Sequence, residues 1–172
     1  MRCVLFSISI LIAGLIPAHA EQAPVTRAYG DQYGAVHIIR SDGKETIVPK
    51  QRGSTGVEDV KIAPDGQTVG WLINWPNPDK YREWETLPMS LVIWRKGKIV
   101  QRFGVDDIFY GWIFWKSAEQ IAFNDGPTHG STPNFELHEL ATGRLVERFY
   151  NDDTVDPATI PDWVKAINES GR

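Results

Sequence analysis

The stretch VEDVKIAPDGQTVGWL, residues 57–72, decides the fold. Val57 to Ala63 reads as a strand with Val60 and Ile62 on one face. Pro64-Asp65-Gly66 then turns the chain, because proline fixes φ and glycine tolerates positive φ. Thr68 to Ile73 returns with Val69, Trp71 and Ile73 alternating. Side chains on a strand repeat every two residues, so each arm presents one apolar face. Two such arms around a tight turn predict an antiparallel pair.

The layout recurs on both sides of this stretch. Downstream, Asn74 to Pro88 is a Pro-rich excursion, after which Ser90 to Arg95 and Lys98 to Phe103 form a hairpin around Lys96-Gly97. A third unit follows. Tyr110 to Trp115 and Gln120 to Asn124 flank Lys116 to Glu119, which stands where the Pro-Asp-Gly turn stood. Asp125 to Pro133 is a second loop, and Phe135 to Leu140 and Arg144 to Tyr150 pair through Thr142-Gly143. Upstream, Val36 to Ile39 and Glu45 to Val48 flank Asp42-Gly43, a strong hairpin signal. Pro49 to Gly56 reads as a connection and Glu21 to Thr26 as a loose leader. Gly66 to Ala118 spans 52 residues and Gly97 to Gly143 spans 46, a repeat period near 50. After Tyr150 the pattern changes. Pro161-Asp162 opens a short helix, near 161–170, in which Trp163, Val164 and Ile167 face the sheet.

The run from Val60 to Val69, with Ala63-Pro64-Asp65-Gly66 at its turn, resembles the β-propeller repeat of TolB-like and WD40-like periplasmic proteins. The following hairpins, with Gly97 and Gly143 at their turns, fit the outer half of such a blade. The resemblance covers Val36 to Phe149, and only the second unit carries the full Pro-Asp-Gly signature. Propellers close with about 4–8 four-stranded blades. Ten candidate strands amount to two and a half, so closure within one chain is not expected. The expected fold is all-β: antiparallel propeller-like blades in an incomplete or sandwich-like assembly, with a short C-terminal helix.

The N-terminus reads as an address. Arg2 precedes an apolar run from Cys3 to Ile16, and Ala18-His19-Ala20 is a small-x-small cleavage site before Glu21. The run is short for a membrane span, which needs about 20 apolar residues. Residues 1–20 are therefore expected to be a cleaved signal peptide and residues 21–172 one propeller-like domain, located in the periplasm or outside the cell. The single cysteine, Cys3, leaves with the signal, so disulfides and thiolate chemistry are excluded from residues 21–172. Loss of Arg2 leaves 17 basic against 22 acidic residues, a balance that disfavours nucleic acid and anionic surfaces.

Seven tryptophans make the chain rich in that residue. Trp71 and Trp112 lie on predicted strands and read as core. Trp75, Tyr81 and Trp84 lie in the Pro-rich excursion, where aromatics can form a binding platform or a lid packed on the body. His129 has hydroxyl and acidic neighbours, Asp125 among them, and is the fourth binding candidate. No GxSxG elbow accompanies it, so no catalytic residue is assigned, and His129 with Asp125 is kept as a hydrolytic alternative. His138 and Glu136 share a strand face while Glu139 points away, and no HExxH pattern occurs. Asp106-Asp107 and the group Asp152, Asp153 and Asp156 read as solvated turn acids rather than calcium ligands. No metal and no cofactor are expected.

These readings converge on a non-enzymatic exported module that binds a protein or cell-envelope component. The alternatives are a small secreted hydrolase using His129 with an acidic partner, and a self-associating structural protein.

Overall fold

A computed structural model describes residues 22–79, 82, 85–104, 107–127, 134–151 and 154–170. Among them, β1 (Val25–Gly30), β2 (Val36–Arg40) and β3 (Glu45–Val48) form a first sheet. A second sheet follows from β4 (Gly56–Ile62), β5 (Thr68–Pro76), β6 (Thr86–Arg95) and β7 (Lys98–Phe103). The third contains β8 (Ile108–Trp115), β9 (Gln120–Gly126), β10 (Asn134–Glu139) and β11 (Leu145–Tyr150). Helix α1 (Asp162–Ser170) ends the described chain. Every neighbouring pair is antiparallel and each sheet runs up and down in chain order. The fold is all-β with one short C-terminal helix, and among the described residues no sheet closes into a barrel. Three antiparallel sheets of three or four strands are compatible with blade-like units.

Turn chemistry sets the register. Lys96 and Gly97 adopt φ of 49° and 91°, the two positive values that let a two-residue turn match strand twist. At the Pro-Asp-Gly turn, Asp65 Oδ1 accepts from the Gln67 and Thr68 backbone N–H groups, each at 2.9 Å. Its Oδ2 accepts from the Thr68 hydroxyl and from Arg95 Nη2, each at 2.7 Å. The equivalent turn of the third sheet solves the problem without glycine: Lys116, Ser117 and Ala118 take φ of 48°, 52° and 70°.

Several boundaries differ from the sequence reading: β6 begins at Thr86 inside the expected excursion, β8 begins at Ile108, and β9 runs on to Gly126, which puts Asp125 on a strand rather than in the second loop. Val25–Gly30, expected to be loose through Thr26, is β1, paired with β2 from Val25–Arg40 to Gly30–Val36. Asp31 makes this turn: its Oδ1 accepts from the Tyr33 and Ala35 N–H groups at 2.9 and 2.8 Å. Strand β5 also runs on through Pro76, so Asn74 and Trp75 belong to it rather than to the excursion. A register shift between Ile73 and Asn74 places Pro88 opposite Asn74, at an irregularity where a missing N–H is tolerated.

The sheets stack face to face. Val25, Val36 and Ile38 of the first pack on Val69, Trp71, Ile73, Val92 and Trp94 of the second. On the opposite side of the second sheet, Leu72, Leu91, Ile93 and Phe103 meet Phe109, Trp112, Ile121 and Phe123 of the third. The remaining face of the third sheet, including Ala122, Phe135 and Leu137, is covered by Trp163, Val164 and Ile167 of α1. Gly70 permits the central contact: a Cβ there would lie 2.6 Å from the Trp112 ring. Lys61 Nζ sits 4.6 Å from that ring and donates to the Trp112 carbonyl at 2.7 Å.

Candidate functional site

Of the four expected binding residues, Tyr81, Trp84 and His129 lie outside the described residues, as do Asp106, Asp152, Asp153 and the segment 1–20. Trp75 is half-buried on β5. Its indole N–H donates to Ser90 Oγ at 3.1 Å and its ring packs on the cluster of Leu87, Met89 and Ile108. It is thereby fixed to the body of the second sheet. Asp156 caps the short turn Pro157–Thr159 by accepting from the Ala158 N–H at 2.9 Å.

Asp125, near the end of β9, is buried with 8% of its surface exposed. Strand register places it beside Asn134 and on the face that carries Phe123. Burial, reinforced by the charges of Glu136 and Asp107, pushes its pKa up to about 6. Its Oδ1 has no hydrogen-bond partner among the described residues. Two residues along β10, Glu136 accepts from His138 Nε2 at 2.7 Å and from Arg148 Nε at 2.9 Å. Burial opposes ionisation of Glu136, but His138 and Arg148 outweigh it and hold its pKa below the usual value. The seam between the second and third sheets thus holds two carboxyl groups with opposite tendencies, one near neutrality and one firmly ionised. The expected pairing of Glu136 and His138 on one face is present. No group of three or more potential ligands could hold a metal among the described residues.

A cavity of about 480 Å³ opens between the first and second sheets. Val36 and Val48 line it from the first sheet, and Val57, Trp71, Ile73, Ile99 and Arg102 from the second. The connection after β3 adds Pro49, Lys50 and Gln51. Strand β7 explains the opening. Ile99 and Arg102 share the face of the second sheet that looks toward the first, because they pair with Trp94 and Val92. The first sheet has three strands against four in the second, and Ile99 stays 36% exposed. Arg102 Nη1 donates to Gln51 Oε1, and Lys50 Nζ donates to the Thr55 carbonyl at 3.4 Å. Both acceptors are neutral. The result is an apolar floor with two cations at its mouth, inside the size range of small-ligand sites.

The cavity residues carry no signal in the sequence, where Pro49 to Gly56 reads as a plain connection and Lys98 to Phe103 as one arm of a hairpin. No helix among the described residues is long and apolar enough to cross a membrane. No protein-family model matches the chain, and no curated protein matches it in sequence.

Proposed function

We propose that the chain is an exported, non-enzymatic binding module built from TolB-like or WD40-like propeller repeats, recognising a protein or cell-envelope component. The observation that carries this reading is the cavity between the first two sheets, an opening with apolar walls and a polar mouth. Such a recess binds by excluding water from apolar surface and orients its ligand through a few polar groups. Residues 1–20 support export as a cleaved signal, with processing after Ala20.

The test combines location with occupancy. Cell fractionation and mass measurement should find a periplasmic or secreted species beginning at Glu21. That species should bind the neutral apolar dye Nile red, and filling the cavity mouth by Ile99→Trp should abolish binding. Equal dye binding by both proteins overturns the cavity as the site.

The hydrolytic alternative is favoured by one observation, the Asp125 carboxyl at about pKa 6, where a general acid or base works best near neutral pH. A broad panel of ester, amide and glycoside substrates tests it. Activity lost in both Asp125→Asn and His129→Ala, with folding intact, would replace the binding reading.

A further inference from the structure

We infer that the cavity between the first and second sheets takes an amphipathic anion, one anionic head group carried on an apolar tail. This rests on the binding-module reading and names the class of ligand.

The floor sets the apolar half. Trp71 and Ile73 are 2% and 3% exposed, so their surfaces lie at the bottom of the recess. Val36, Val57 and Val48 surround them. No side chain of the floor can accept or donate a hydrogen bond except the Trp71 indole N–H, so a polar group inserted here loses its hydration without replacement. An alkyl or aryl tail loses nothing and gains by leaving water.

The mouth sets the charge. Lys50 and Arg102 line the same recess, and neither has a carboxylate within ion-pair distance among the described residues. Two other cations of the second sheet are paired, Arg95 with Asp65 and Lys61 with Asp59. Gln51 holds the Arg102 guanidinium with a neutral oxygen, which orients it while leaving its charge uncompensated. A planar guanidinium and an ammonium lining one recess suit a carboxylate or phosphate oxygen better than any neutral group. Because the chain as a whole is acidic, a local pair of unneutralised cations attracts an anion against the net field.

A ten-carbon series separates head group from tail. Decanoate, decyl phosphate, decanol and decyltrimethylammonium are titrated below their micellar concentrations into the processed protein, with calorimetric readout. Decanoate or decyl phosphate should bind at least about tenfold more tightly than decanol, and the cation more weakly than decanol. Whichever anion binds more tightly identifies the source, a free carboxylate or a phosphate head. Raising the salt concentration should weaken the anions and leave decanol unchanged. Lys50→Gln with Arg102→Gln should erase the anion preference while decanol still binds. Both side chains are exposed, and unchanged thermal melting confirms that the double variant folds. Decanol binding as tightly as the anions, or an anion preference that survives the double variant, overturns the inference and leaves the binding module standing. Failure of all four probes, with no difference made by Ile99→Trp, overturns both.

Discussion

Arg95 Nη2 lies 2.7 Å from Asp65 Oδ2, joining the last residue of β6 to the turn between β4 and β5. The same nitrogen donates to the Ala118 carbonyl at 3.3 Å, so one guanidinium ties the turn of the second sheet to that of the third. Asp65 is surrounded by four donors, two backbone N–H groups, the Thr68 hydroxyl and Arg95. Burial works to raise its pKa, yet Arg95, Thr68 and the Gln67 N–H outweigh burial and lower it below 3.8. A depressed carboxylate contributes stability above its unfolded pKa, and that contribution disappears as pH falls through the folded value. Asp65→Asn should therefore cost about 2 kcal/mol at pH 7, the range of hydrogen bonds to a charged group. Urea unfolding should show the gap from the native protein closing below about pH 3.8. A gap that is constant with pH would refute the charged role.

The turn at Lys116–Ala118 places three side-chain-bearing residues in the left-handed region, where each costs about 1–2 kcal/mol. Ser117 is exposed. Ser117→Gly should thus raise stability by about 1 kcal/mol, visible as an upward shift in melting temperature. Gly66 in the second sheet provides the mirror experiment. Its φ is 61°, and a methyl group added there would sit 3.3 Å from the Pro24 side chain, so Gly66→Ala should lower stability.

These two turns show what the sequence could tell. Asp42-Gly43, Pro64-Asp65-Gly66, Lys96-Gly97 and Thr142-Gly143 announce hairpins because each needs a backbone geometry that few residues accept. The third sheet's turn was legible only through the repeat, since Lys116-Ser117-Ala118 carries no local signal. Strand β1 escaped because Val25 is its only buried residue among exposed Thr26 and Arg27, and its turn is held by the Asp31 side chain without an Asp-Gly or Pro-Asp-Gly run. Helix α1 was legible from Pro161-Asp162 and the four-residue spacing of Trp163 and Ile167. The cavity was not, because Val48, Lys50, Trp71, Ile73, Ile99 and Arg102 come together only when the first sheet stacks on the second.

Asp125 gives a second pH dependence of opposite sign. Its pKa of about 6 exceeds the ordinary 3.8, chiefly through burial, so the native state holds the proton more tightly than the unfolded chain. The buried charge then destabilises the fold progressively as pH rises from about 4 to about 6. Asp125→Asn should flatten the stability curve in that window and stabilise the protein by about 2 kcal/mol at pH 7. A carbon-detected titration of the Asp125 carboxyl provides the direct measurement. A midpoint near 4 would remove both this effect and the observation favouring a hydrolase.

The outer faces decide whether the stack of sheets needs a second copy. On the first sheet, Tyr29 stacks on His37 at 4.9 Å, Arg27 lies over Tyr29, and His37 is flanked by Glu45 at 2.7 Å and Asp31 at 3.3 Å. Apart from Ile39 and the 55% exposed Ile47, this face is polar and can meet water directly. At the other end, α1 covers Phe135 and Leu137, and Trp163 Nε1 donates to Glu147 at 3.1 Å. A nine-residue helix is marginal alone, so its order comes from this docking. The chain from Glu21 onward should consequently be monomeric by light scattering at micromolar concentration. Ile167→Ala should cost about 3 kcal/mol, and truncation after Thr159 should uncover the apolar face and produce association. An intact protein that scatters as a dimer or larger species would mean that the first sheet, rather than α1, seeks a partner, and would favour the self-associating alternative.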